Sequence, residues 1–224
     1  MHALIFDVDG TLTETNDLDA RCFAQAVETL LGVPDIETDW DTYPHVTDSG
    51  IISEVLLQLK GRPGTIEETR EFEAHFLSIL QEQPRDEFPA LPGAGGFLGL
   101  LRRHGLPVAI ATGAWRSSAR HKLSQAGIDI AGIPLSTASE GVSRIEIMLG
   151  AHDALLAHCG VETFERVTYF GDAAWDVRAT GELGWELVGI GARIDRLREL
   201  SVQHTFSDYR QQESILERLG LALE

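Results

Sequence analysis

The chain has 224 residues, 43% of them hydrophobic, with a formal net charge of -17. A chain of this composition can bury a sizeable core, and none of its charge-free stretches approaches the ~18 apolar residues of a membrane span. The negative charge opposes nucleic acid and anionic membranes, because both attract proteins through a general basic field; a small anion can still bind where a metal ion and a few placed cations reverse the sign locally.

In chain order the first element is a short apolar strand over residues 3–6, which Asp7 interrupts before a signal-peptide core can form, so the chain is expected in the cytoplasm. Residues 15–90 then show helical periodicity without a strand. Phe23, Val27, Leu30 and Leu31 form one apolar stripe, Ile52, Val55, Leu56 and Leu59 a second, and Phe72, Phe76, Leu77 and Leu80 a third. Pro84, Pro89, Pro92 and the Gly93-Ala94-Gly95-Gly96 run read as a hinge or linker closing this insert. From residue 91 strand and helix alternate. Strands are expected at 107–111, 133–135, 166–170 and 186–190, and helices at 115–126, 144–159, 175–183 and 211–219. Two units follow, residues 1–14 with 91–224 and residues 15–90. The first has the alternation of an α/β, doubly wound parallel sheet, in which ligands bind at the carboxyl ends of the strands. Cys22 and Cys159 belong to no C-x-x-C pair and read as buried, reduced thiols.

Chemistry-bearing residues fall at these strand ends. Asp7-Val8-Asp9-Gly10-Thr11-Leu12 follows the first strand, and a turn at Gly10 lets both carboxylates converge on one cavity; a bare D-x-D also fits an Asx-rich turn. Gly171-Asp172-Ala173-Ala174-Trp175-Asp176 follows a later strand, with Asp172 and Asp176 on one side of a helix start. Together the four aspartates look like a hard-cation site suited to Mg2+. Thr112 and Gly113 end another strand, where a hydroxyl and helix-start N–H groups can hold phosphate oxygens.

These residues, in this order, resemble the first, second and fourth motifs of the haloacid dehalogenase-like hydrolases, and the insert resembles that family's helical cap. The resemblance runs essentially from residue 3 to the C-terminus. It implies a Rossmann-like core and a magnesium-dependent phosphatase acting on a small-molecule phosphate ester. Asp7 would be the nucleophile that forms an aspartyl-phosphate, and Asp9 the general acid/base. Thr112 would bind the phosphoryl group, while Asp7, the backbone carbonyl of Asp9 and Asp172 hold the metal with support from Asp176. An acid/base aspartate at Asp9 favours phosphate chemistry over carbon–halogen cleavage. The family's third motif usually supplies a lysine; here order and spacing point to Arg144, at the start of a helix. Lys122, inside the helix after Thr112, and Lys60 fit less well. An arginine keeps its charge at every relevant pH but asks for a differently shaped pocket.

His45, ahead of a helix capped by Thr47 or Asp48, and Arg116, just after Gly113, are candidate substrate contacts, with Trp115 either gripping a leaving group or packing against the insert. Two other readings stand beside the phosphatase: a sugar phosphomutase of the same family, and a non-catalytic phosphate-binding relative. Either a monomer or a homodimer is compatible with the sequence.

Overall fold

The computed structural model describes residues 1–221. Its centre is a six-stranded, all-parallel sheet of β1 (His2–Phe6), β2 (Val108–Ala111), β3 (Leu135–Ser136), β4 (Arg166–Gly171), β5 (Glu186–Ile190) and β6 (His204–Phe206), in the spatial order β3-β2-β1-β4-β5-β6. The chain moves outward from β1 through β2 to β3, then returns to the other side of β1 to build β4, β5 and β6. The order therefore reverses between β1 and β4, the crevice where such sheets bind ligands.

Successive residues of each strand face opposite sides, so the sheet has two cores. Ala3, Ile5, Ala109, Ala111 and Tyr169 face one side with α6 (Arg144–Cys159) and α7 (Ala174–Leu183). Leu4, Phe6, Val108, Ile110, Phe170 and Val188 face the other, against α4 (Ala94–Arg103), α5 (Arg116–Gln125) and α9 (Gln212–Arg218). Both faces are covered, which is why the strands read as unbroken apolar runs.

Between β1 and α4 lie three α-helices, α1 (Asn16–Leu31), α2 (Asp48–Lys60) and α3 (Ile66–Gln81), with two short 3-10 turns, and among these residues no strand forms. The two ends of the segment run side by side: Glu14 N–H donates to the Pro89 carbonyl and Leu91 N–H to the Leu12 carbonyl, both at 2.9 Å. The apolar faces of these helices join the first core. Trp115 lies 1% exposed against Phe23, Phe72 and Phe76, with ring centroids 5.9 to 6.2 Å away, so it packs against the insert.

Several sequence expectations need correction. Gly93 to Gly96 do not form a linker: α4 begins at Ala94, because burial of Phe97, Leu98 and Leu101 outweighs the low helix propensity of the glycines. The strand expected at 133–135 shifts to Leu135–Ser136, since Pro134 has no N–H and offers only its carbonyl, which Ile110 takes. Edge strand β6 and the short α8 (Ile194–Glu199) were not anticipated. Leu59 is exposed, and Cys159 is half-buried whereas Cys22 is buried. No helix among the described residues is long and apolar enough to cross a membrane.

Candidate active site

Strand register brings the motifs together. Phe6 pairs with Phe170 on one side and with Ile110 on the other, so Asp7, Asp172 and Thr112 leave neighbouring strands at the same edge of the sheet. The Asp7 N–H still donates to the Phe170 carbonyl at 3.0 Å, which fixes the residue as the last rung of the ladder. Gly10 then turns the chain with φ +74, and a Cβ there would stand 2.2 Å from both Asp172 Oδ2 and Asn16 Nδ2. Only glycine satisfies both the left-handed backbone and the close approach of that carboxylate.

One oxygen each from Asp7, Asp172 and Asp176 lies within 4.8 Å of the others, all buried. Asp176, in the first turn of α7, accepts the Ala173 N–H with Oδ2 at 3.2 Å. Asp172 Oδ2 accepts from Asn16 Nδ2 at 2.8 Å and faces Arg193 at 3.6 Å. Asp172 Oδ1 and Asp176 Oδ1 have no hydrogen-bond partner within the protein. Burial, opposed by Arg193 and reinforced by Asp7, pushes the Asp172 carboxyl up to about 7, and burial likewise raises Asp7 and Asp176 despite Arg144. Three clustered carboxylates with unused oxygens are the donor set of a hard divalent cation, so these residues fit Mg2+.

Arg144 opens α6, whose start is fixed by the Ser143 and Glu146 capping box. Its Nη1 lies 3.3 Å from Asp7 Oδ1 and its Nε 3.8 Å from Asp176 Oδ1. Burial opposes its charge, but Asp7 and Asp176 outweigh that and raise its pKa. Gly113 makes room for the guanidinium, since a Cβ there would be 3.2 Å from Nη2. Thr112 is buried beside them.

The Asp9 carboxylate stands apart from the acidic trio. Its Oδ1 accepts from Thr15 Oγ1 at 2.5 Å and its Oδ2 from Lys122 Nζ at 2.6 Å. Asp9 was expected to serve the metal through its backbone carbonyl, and its side chain takes no part in the carboxylate cluster. Lys122, set aside on sequence grounds, is wholly buried and also donates to Asp19 Oδ1 at 2.5 Å. Its burial opposes the charge, yet Asp19, Asp9 and Asp48 together raise its pKa. A signal for it existed: Lys122 is in helical phase with Ser118, Ala119 and Leu123 on the buried face of α5.

Two expected substrate contacts are not among the residues that line the cavity. Arg116 is held by Glu140 at 2.9 Å and by the Leu135 carbonyl at 2.7 Å, and neither it nor His45 lines the cavity. The insert is instead joined to the core by the start of α2. Thr47 caps that helix by accepting the Gly50 N–H, and donates its hydroxyl to the Val142 carbonyl at 2.6 Å. Asp48 donates its N–H to the Gly113 carbonyl and accepts the Trp115 N–H, each at 2.8 Å. Asp7, Asp9, Thr112 and Arg144 thus face a cavity of about 250 Å³, walled on the insert side by Phe23, Trp40, Val46 and Ile51.

A family model described as haloacid dehalogenase-like hydrolase matches residues 1–184. No curated protein matches the sequence. Among solved structures, a hydrolase from Pseudomonas syringae is 21% identical with a TM-score of 0.75, over 98% of this chain and 99% of that one. A beta-phosphoglucomutase from Clostridium difficile is 19% identical with a TM-score of 0.73, over 97% and 96%. CbbY from Rhodobacter sphaeroides in complex with phosphate is 21% identical with a TM-score of 0.67, over 93% and 95%. At identities this low, the structural likeness shows a shared fold alone.

Proposed function

Because the chain belongs to the haloacid dehalogenase-like hydrolases, we propose that it is a magnesium-dependent phosphatase that hydrolyses a small-molecule phosphate monoester through an aspartyl-phosphate on Asp7. The observation that carries this reading is the asymmetric setting of Asp7. Arg144 stands 3.3 Å from one oxygen, and Asp172 and Asp176 gather beside it. The second aspartate of the motif is held on its own by Thr15 and Lys122.

Bound by Asp7, Asp172 and Asp176, Mg2+ would offset the charge of the phosphoryl group that otherwise repels a carboxylate nucleophile. An Asp7 oxygen attacks phosphorus in line with the ester bond. Arg144 and the Thr112 hydroxyl hold the non-bridging oxygens as charge builds on them. As the P–O bond breaks, the Asp9 carboxyl gives its proton to the departing ester oxygen. Water then attacks the phosphorus of the aspartyl-phosphate, Asp9 takes the water's proton, and the Asp7 carboxylate and inorganic phosphate are released. Both protons pass through one carboxyl group, so Asp9 ends as it began. The helical insert serves as a cap that excludes bulk water and shapes the leaving-group pocket.

Phosphate release from 4-nitrophenyl phosphate and a panel of small metabolite phosphates, with Mg2+ or with EDTA, tests the proposal. Magnesium-dependent release that Asp7→Asn reduces at least ~1,000-fold supports it. A folded protein that releases no phosphate from any ester would overturn it, and transfer to a sugar hydroxyl in place of water would identify a phosphomutase.

A further inference from the structure

The reaction proposed above requires one carboxyl group, Asp9, to meet first the ester oxygen and then a water. Each of its oxygens already has a donor, Thr15 on Oδ1 and Lys122 on Oδ2, and two donors on two oxygens leave the group a single orientation. Thr15 is itself braced by Thr13 at 2.6 Å, whose hydroxyl donates to the Val8 carbonyl. We propose that Lys122 is a positioning residue that aims the Asp9 carboxylate at the leaving-group side of the cavity, and that Asp19 ties this aim to the seating of α1; the proposal rests on the phosphatase reading.

Three features support the assignment. An ammonium buried on the inner face of a helix is costly, and an apolar side chain of similar size would serve packing alone as well or better. Lys122 lies behind the cavity wall, whereas the buried cation that lines the cavity is Arg144, so a carboxylate released by Lys122 and repelled by Asp19 has an attractive alternative beside Asp7, on the wrong side for a leaving group. Asp19 lies on α1 almost one turn beyond Asn16, which holds Asp172. One helix of the insert therefore touches both Asp172 of the acidic trio and the lysine that aims the acid. Undocking α1 removes one of the two carboxylates bonded to Lys122 and loosens Asp9 while the cap is open.

The test uses single-turnover release of the alcohol, with enzyme in excess, from 4-nitrophenyl phosphate and from an alkyl phosphate that the wild-type enzyme accepts. Nitrophenolate leaves without a proton, whereas an alkoxide needs one from Asp9. Lys122→Met is expected to slow alkyl release on the order of 100-fold while changing nitrophenol release only a few-fold, the same preference as Asp9→Asn. If that variant does not fold, Lys122→Gln, which keeps an N–H donor, is expected to show the same preference at smaller size. Equal losses on both substrates, or no loss, while Asp9→Asn remains selective, would overturn the role of Lys122 and leave the phosphatase reading intact. A wild-type protein that cleaves neither ester would overturn both.

Discussion

Arg144, which the sequence resemblance aligns with a position that is usually lysine, has a planar group that faces Asp7 and Asp176 at once, at 3.3 and 3.8 Å. Arg144→Met is expected to lower kcat/KM about 100- to 1,000-fold, because the phosphoryl oxygens lose a charged donor as their charge develops. Arg144→Lys should recover part of that, since an ammonium restores the charge without spanning both carboxylates. Initial rates of phosphate release measure both; a fully active Arg144→Met would remove the residue from the reaction. Position in the chain was enough to point to Arg144, since it opens a capped helix ahead of the Gly171 motif. Lys122 fits less well by order and spacing, being inside the helix after Thr112, and only its phase with Ala119 and Leu123 marks it as inward. Asn16 and Asp19 gave no signal of their own, because what they touch is set by where α1 docks. Arg116 and His45 were drawn toward the site by proximity in sequence, but Glu140 and the Leu135 carbonyl hold Arg116 outside it, and the cavity wall leaves out His45.

Among the elements, the joint between α2, α5 and the strand ends decides whether the insert sits over the site. The Trp115 ring stacks on Phe23 and abuts Phe72 and Phe76, while the backbone N–H of Trp115 donates to Asp48 of the insert. Trp115→Ala leaves a large cavity at that joint and is expected to cost about 3–5 kcal/mol, read as a lowered midpoint in urea with little change in slope. A loss under 1 kcal/mol would mean that the insert is not anchored there. The strands lining the crevice were legible because burial on both faces makes each a short apolar run. The sheet's edges were not. All three residues of β6 are only half-buried and include His204 and Thr205, so no run stands out. α4 was hidden for the opposite reason: Gly93 to Gly96 mimic a linker, and only the packing of Phe97 and Leu101 under the sheet makes the stretch helical.

At the scale of the whole molecule, a few of its acidic groups are buried at the site, and their burial couples stability to pH. Burial lifts Asp172 to about 7 and Asp19 to about 6, from an ordinary value of 3.8, so the folded state holds protons that the unfolded chain gives up. The stability this contributes is full below about pH 4 and is lost as pH rises through 6 and 7. Magnesium competes with the proton for Asp172. In EDTA the melting temperature is therefore expected to fall between pH 5 and pH 8, and added Mg2+ to raise it more at pH 8 than at pH 5; thermal denaturation at the two pH values checks this, and a Mg2+ effect equal at both would contradict it. The central claim is that Asp7 carries the phosphoryl group. Mass spectrometry of acid-quenched protein, taken during turnover with an accepted ester, tests this most directly. A phosphoryl group on the peptide containing Asp7 is the predicted result, accumulating further in Asp9→Asn with 4-nitrophenyl phosphate, whose leaving group needs no proton while the water step loses its base; turnover without any label on Asp7 would contradict the account.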